Sequence, residues 1–235
     1  MKAVVYDKKH APYKLLLKEV VKPVPKENEV VLKVVSVSLN AADYRSMKMG
    51  MIPKKRIFGS AVSGTIASVG KNIKHLKSGD DVVGDLTDFG FGGLAEFAVA
   101  PEKAFTRKQP NTTFEDSATL PVAATTALNA LRDKGNIQKG QHVLIVGSSG
   151  GVGVFAVQLA KYFDAKVTAI CSTKNIEQTK SLGADEVIDY TKQDFTKSSI
   201  RYDLILAING NYPLLGYRKM LNSKGLFVMV GGSLA

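Results

Sequence analysis

The segment Val143-Leu144-Ile145-Val146-Gly147-Ser148-Ser149-Gly150-Gly151-Val152-Gly153 limits what this chain can fold into more than any other stretch. An apolar run passes through a turn of glycines and serines into Gly151 to Tyr162, where Val152, Phe155, Ala156, Leu159 and Ala160 recur at helical spacing. Strand, small-residue loop and helix in that order open a parallel βαβ unit. Such a turn suits a pyrophosphate, because only small residues allow close backbone approach and the helix start offers free amides and a positive dipole end. The spacing Gly147, Gly150, Gly153 departs from the common G-x-G-x-x-G, since Ser148 holds the first glycine position. The loop residues that would meet the phosphates are therefore Gly147, Ser148, Ser149, Gly150, Gly151, Val152 and Gly153. A tight turn in another α/β domain is the alternative reading.

Which dinucleotide fits is decided about 20 residues further on, at the end of the second strand, where NAD enzymes place an acid on the ribose. Here the strand Lys166 to Cys171 ends in Ser172-Thr173-Lys174. No acid stands there to repel a 2′-phosphate, and two hydroxyls and a cation can hold it, so NADPH is expected. Alternatively Ser172 caps the next helix and Lys174 is solvated.

The surrounding pattern assigns the fold class. After Phe114 strands and helices alternate, with further strands at Glu186 to Asp189, Asp203 to Ile208 and Gly225 to Val230, and a helix from Asn175 to Leu182 stopped by Gly183. Before it, short strands broken by Pro and Gly (Ala3 to Tyr6, Val30 to Val37, Val62 to Val69, Val82 to Gly84, Leu94 to Val99) indicate an irregular β domain. The expected division is residues 1–122, a β domain, and 123–235, a doubly wound parallel-sheet domain.

Charge and composition exclude other classes. The net charge of +11 raises nucleic acid as a partner. The excess is spread, with 19 basic and 13 acidic groups in residues 1–122 and 13 and 8 in 123–235, and no RNA motif accompanies it. Nucleic-acid binding is therefore a minor alternative, and a basic surface favouring an anionic ligand is the main reading. The start lacks an apolar signal stretch, and no long apolar run occurs, which predicts a cytoplasmic protein with no membrane partner. One cysteine, Cys171, and three histidines leave metal ligands scarce; Cys171, His75 and His142 read as structural, and no metal is expected.

Further motifs follow in order: Asn40-Ala41-Ala42-Asp43, Gly59-Ser60-Ala61-Val62-Ser63-Gly64, Gly93-Leu94-Ala95-Glu96-Phe97, Leu120-Pro121-Val122-Ala123, Gln158-Leu159-Ala160-Lys161 and Ser181-Leu182-Gly183-Ala184-Asp185. With the glycine loop, they make the chain resemble the medium-chain dehydrogenase/reductase superfamily, in its zinc-free quinone oxidoreductase and alkenal (enone) reductase branch. The resemblance implies a GroES-like β catalytic domain followed by a Rossmann domain. It also implies hydride transfer from NADPH to a quinone or an α,β-unsaturated carbonyl. In zinc-dependent relatives, Cys and His ligands sit near the positions held here by Leu39-Asn40 and Ser60, and Pro101 to Gln109 lack the cysteines of the structural zinc loop. The resemblance places Asn40, Asp43, Ser60 and Thr126 on the nicotinamide and substrate side, with Asn40 and Asp43 the catalytic candidates and Ser60 and Thr126 toward the cofactor. It places Tyr190 near the adenosine phosphate, and Asn209, Gly210, Gly231 and Gly232 in loops flanking the cofactor. Tyr44, next to Asp43, is a candidate proton donor because a phenol can act as a general acid. Asn40 to Asp43 can equally fix a turn, and Tyr44 can be a surface residue.

The family's chains run on past Leu226 to Val230, with a last strand used in dimer pairing and a return segment, whereas this sequence stops at Ala235. A homodimer is expected, because an uncovered sheet edge needs a partner. A catalytically idle dinucleotide-binding protein is the alternative from another function class.

Overall fold

The computed structural model describes residues 1–7, 14–208, 210 and 212–231. The chain divides into two compact units, Met1–Val122 and Ala123–Ala235.

In the first unit β1 (Lys2–Asp7) and β2 (Lys14–Glu19) pair antiparallel. Strands β3 (Glu29–Ser38), β4 (Ala61–Val69), β5 (Asp81–Asp85), β6 (Phe97–Pro101) and β7 (Phe105–Arg107) form an antiparallel sheet in the order β6-β3-β4-β5-β7. Its core gathers Val30, Leu32, Val62, Ile66, Val82, Leu86, Ala98 and Phe105. The strand expected from Leu94 begins only at Phe97, because Leu94 to Glu96 bond to β1 instead: the Val4 N–H donates to the Leu94 carbonyl and the Glu96 N–H to the Lys2 carbonyl. The expected turn at Asn40 to Asp43 is the start of a helix, α1 (Ala41–Lys48), and a second helix, α2 (Phe114–Thr119), carries Thr113 as its cap. A wide, π-type turn spans Leu120–Ala124. Pro121 has no N–H to give to an α-helical ladder there, which is one cause of such widening.

The second unit is a parallel sheet with helices. Helix α3 (Thr125–Leu128) runs into a second π-type stretch, Asn129–Lys134. Then follow β8 (His142–Val146), α4 (Gly151–Tyr162), β9 (Lys166–Cys171), α5 (Ile176–Ser181), β10 (Glu186–Asp189), β11 (Tyr202–Ala207), α6 (Leu214–Lys219) and β12 (Leu221–Met229). The strand order is β10-β9-β8-β11-β12, all pairs parallel. Alternate residues of β8 feed opposite faces: Val143 and Ile145 pack with Ala156, Val157 and Leu131, while Leu144 and Val146 pack with Phe195, Tyr217 and Met220. Burial on both faces is why these strands read as unbroken apolar runs.

Two expectations shift. The buried stripe of α4 is Gly153, Ala156, Val157 and Ala160, with Val152, Phe155 and Leu159 at its rim. Small residues take the face because they let the helix approach the sheet closely. The helix expected from Asn175 starts at Ile176, after a 3-10 turn over Thr173–Asn175. Gly183, at φ 100°, does take the left-handed conformation expected of it. Beside it Asp185 accepts the Lys161 ammonium at 2.8 Å and the Val167 N–H at 2.7 Å, which gives the Gly183-Ala184-Asp185 motif a structural role.

Candidate functional site

A parallel sheet puts all its carboxyl ends on one edge, and the order β10-β9-β8-β11-β12 reverses direction between β8 and β11. The glycine loop leaves β8 at that point. Gly147 adopts φ 85°, a left-handed conformation that a side chain would strain. The Gly147 and Ser148 N–H groups both donate to the Ile170 carbonyl at 3.2 Å, and the Ser148 hydroxyl donates to the same oxygen at 3.1 Å. Ser148 is fully buried, so its hydroxyl is bound to the fold rather than offered to a ligand.

Gly153 has a different reason. A Cβ there would lie 2.2 Å from the Gly147 carbonyl oxygen, so glycine is what allows the first turn of α4 to sit against its own loop. At Gly150 and Gly151 the nearest atoms to a Cβ would be 3.6 and 4.0 Å away, so space opens in front of these two backbones. No side chain caps α4. The amides of Gly151, Val152 and Gly153, which have no acceptor within the helix, remain for an incoming anion. This is a cradle that fits a pyrophosphate.

The second strand's end adds more. Ser172 precedes the 3-10 turn, and Asn175, which the sequence reading passes over, donates from Nδ2 to the Ser149 hydroxyl oxygen at 2.9 Å and to that of Ser172 at 3.2 Å. Thr173 donates its hydroxyl to Asp189. The sequence reading finds no acid after β9, yet the fold brings one from β10, because Asp189 lies opposite Cys171 in the parallel register. Asp189 also accepts the Thr191 N–H at 2.9 Å and its hydroxyl at 2.7 Å, and the Thr173 hydroxyl, foremost, holds its carboxyl below the usual carboxylate range. Thr173 is thus committed to the fold, while Lys174 beside it is exposed.

Tyr190 is about half exposed and lines a pocket of about 570 Å³ with Thr191, Lys192, Tyr212 and Pro213. Thr126 lines another, of about 670 Å³, with Val228, Met229 and Val230, so α3 and the end of β12 share one wall just before Gly231 (φ 74°). Gly210 lies against Met229. Asn209 and Gly232 lie outside the described residues.

In the first unit Asn40, Gly59 and Ser60 come together around the Asp43 carboxylate, and Tyr44 is not among its partners. Asp43 is buried and accepts the Asn40 N–H at 2.8 Å, the Gly59 N–H at 2.9 Å and the Ser60 hydroxyl at 3.1 Å. Asn40 donates its side-chain amide to the Ser38 carbonyl at 3.1 Å. The Asp43 carboxylate fixes the start of α1 to the Gly59-Ser60 turn, where Gly59, at φ 94°, is packed so tightly on Gly93 and Leu94 that a Cβ would come within 2.6 Å of the Leu94 nitrogen. Ser60 is wholly buried and its proton goes to Asp43, while Tyr44 is half exposed on α1. Among the described residues, no group of three or more His, Cys, Asp or Glu side chains is gathered where a metal ion could sit.

Known proteins resemble this chain in sequence and in fold. Residues 26–110 match the family model described as alcohol dehydrogenase GroES-like domain, and residues 151–235 match that described as zinc-binding dehydrogenase. The chain is 41% identical over 218 residues to the chloroplast envelope quinone oxidoreductase homolog of Arabidopsis thaliana, covering 86% of this chain and 66% of that one. The chain belongs to the medium-chain dehydrogenase/reductase superfamily, in its quinone oxidoreductase and alkenal reductase branch. To the chloroplastic NADPH-dependent alkenal/one oxidoreductase of the same plant it is 35% identical, over 87% of this chain and 56% of the relative. The solved quinone oxidoreductase from Coxiella burnetii superposes with a TM-score of 0.85 at 28% identity, over 97% of this chain and 74% of that one. The chain thus spans less than two thirds of the length of the two curated relatives. Membership of this superfamily implies a nicotinamide cofactor, which the cradle between β8 and α4 suits. Among the described residues, no helix is long and apolar enough to cross a membrane.

Proposed function

We propose that this protein is an NADPH-dependent reductase of quinones or α,β-unsaturated carbonyls that works without a metal ion. The observation that carries the reading is the Gly147–Gly153 turn, with its uncapped helix start and open space at Gly150 and Gly151. The relatives' names, a quinone oxidoreductase and an alkenal/one oxidoreductase, supply the substrate classes. A bound nicotinamide dinucleotide would supply the hydride. The loop amides would hold its pyrophosphate, Ser172 and Lys174 its 2′-phosphate, Tyr190 the adenosine side, and Thr126 and Gly231 the nicotinamide side. Asn40, stiffened by Asp43, and Tyr44, with its half-exposed phenol, would orient and protonate the reduced substrate.

The metal-free part of the proposal has its support in donor chemistry. Asp43 is taken up by Asn40, Gly59 and Ser60, and neither Asn40 nor Ser60 is a zinc-type ligand. The test is oxidation of NADPH, followed by its absorbance, with a panel of quinones and enones in the presence of a chelator. We expect turnover with members of at least one class; none with either class would remove the proposal. The proposal also includes a cytoplasmic dimer. The outer edge of β12, unpaired among the described residues, supports a partner. Light scattering and cell fractionation check these two points, and a clean monomer at micromolar concentration would refute the first.

A further inference from the structure

We propose that Asn175 is a positioning residue that makes the Ser149 and Ser172 hydroxyls obligatory donors toward the phosphates of a dinucleotide, and so sets the preference for the 2′-phosphorylated form. This rests on the NADPH reading above. The two serines belong to different parts of the site, one in the loop after β8 and one after β9. One amide reaches both: Nδ2 donates to Ser149 Oγ at 2.9 Å and to Ser172 Oγ at 3.2 Å. The backbone brings it there, since the Asn175 N–H closes a turn onto the Ser172 carbonyl at 2.9 Å.

The bland role for an asparagine at this place is to cap the following helix. Asn175 does stand at the N-cap position of α5, but its side chain makes no capping bond. Its amide is spent on the serines instead. A hydroxyl has one proton and two acceptor lone pairs. Once Asn175 has filled an acceptor position on each oxygen, the serine proton is directed elsewhere, and an anion in the cradle is the partner that gains most from it. Ser148, by contrast, gives its proton to the Ile170 carbonyl and Thr173 gives its own to Asp189. Among the hydroxyls of Ser148, Ser149, Ser172 and Thr173, the two that Asn175 touches donate to no protein acceptor among the described residues.

Asn175→Asp reverses the polarity with almost no change of shape. The carboxylate draws both serine protons toward itself and adds a negative charge beside the 2′-phosphate. Asn175→Ala removes the constraint without adding charge. The experiment is titration of wild type and both variants with NADPH and NADH, followed by nucleotide fluorescence, with thermal unfolding of each ligand-free protein. We expect wild type to prefer NADPH, and the aspartate variant to lower the NADPH-to-NADH affinity ratio by about tenfold or more, the size of a lost charge-assisted bond. The alanine variant should lower the ratio by roughly two- to threefold, and it serves if the aspartate variant does not fold. A structural role would lower the melting temperature and weaken both dinucleotides together. An unchanged ratio in a protein that still binds both would therefore overturn the inference alone. Wild type binding neither dinucleotide would overturn the inference and the NADPH reading with it.

Discussion

At the scale of single residues, the glycines of the loop separate into those the fold needs and those the proposed dinucleotide would need. Gly153 serves the fold, because a Cβ would meet the Gly147 carbonyl oxygen at 2.2 Å and the Ser148 backbone at 2.6 Å. Gly153→Ala should cost on the order of 1–3 kcal/mol, as overpacking does, and lower the melting temperature. Gly150, at φ −78°, has nothing nearer than 3.6 Å to a Cβ, so Gly150→Ala should leave stability within about 1 kcal/mol. Its methyl would stand where the pyrophosphate approaches, and dinucleotide affinity should fall by about tenfold, the scale of one lost charge-assisted contact. Thermal unfolding beside a dinucleotide titration checks the pair; equal loss of stability in both variants would refute the assignment. Gly150 and Gly153 stand in the sequence pattern alike. Their different duties became visible only from what each Cβ would touch. The buried Asp43 was legible as a motif residue, but its three donors come from residues 3, 16 and 17 positions away, and no spacing rule collects them.

Among the elements, the amino ends of β8, β9 and β11 share a polar cluster opposite the cofactor edge. The His142 ring bonds Thr168 Oγ1 at 2.9 Å and meets Tyr202 edge-on, with centroids 4.7 Å apart. Burial, foremost, pushes the imidazole below its ordinary value of 6.5, with Lys166 adding to the effect and Glu186, Asp203 and Asp185 opposing it. The fold therefore favours neutral His142. Its contribution to stability is complete above the unfolded value and is lost as pH falls below it toward the folded one. The melting temperature should decline as pH falls below His142's ordinary value of 6.5, and His142→Phe, which keeps a ring beside Tyr202, should flatten that decline. A slope unchanged in the variant would count against this. The carboxyls of Asp185 and Asp189, held low, act in a separate acid window: the stability they add is lost only as pH falls below the ordinary carboxylate range. Strands β8 and β9 and helix α4 were legible from apolar runs and glycine. Helix α1 was not, because its start, Asn40 to Asp43, has the same residues as an Asx turn; only the Asp43 carboxylate returning to the Asn40 N–H distinguishes a helix cap.

For the whole molecule, charge is the property that composition describes best. The net +11 is shared almost evenly between the two units, which gives each a net positive charge that favours anions. NADPH carries more negative charge than NADH, so raising ionic strength from about 0.05 to about 0.5 M should weaken NADPH binding more steeply, by roughly threefold relative to NADH, as screening shortens the reach of the field. Parallel titrations at the two salt concentrations check this, and identical salt dependence would show that only contact-range groups matter. The order of motifs along the chain determined the fold class, the strand-loop-helix cradle and the family, because backbone conformation and burial follow from local patterns of apolar and small residues. The tertiary structure decided which hydroxyls and carboxylates are already engaged: Thr173 with Asp189, Ser60 with Asp43, and Asn175 with Ser149 and Ser172. Those pairings depend on parallel strand register and loop packing. These bring together residues 3 to 26 positions apart that no sequence period relates.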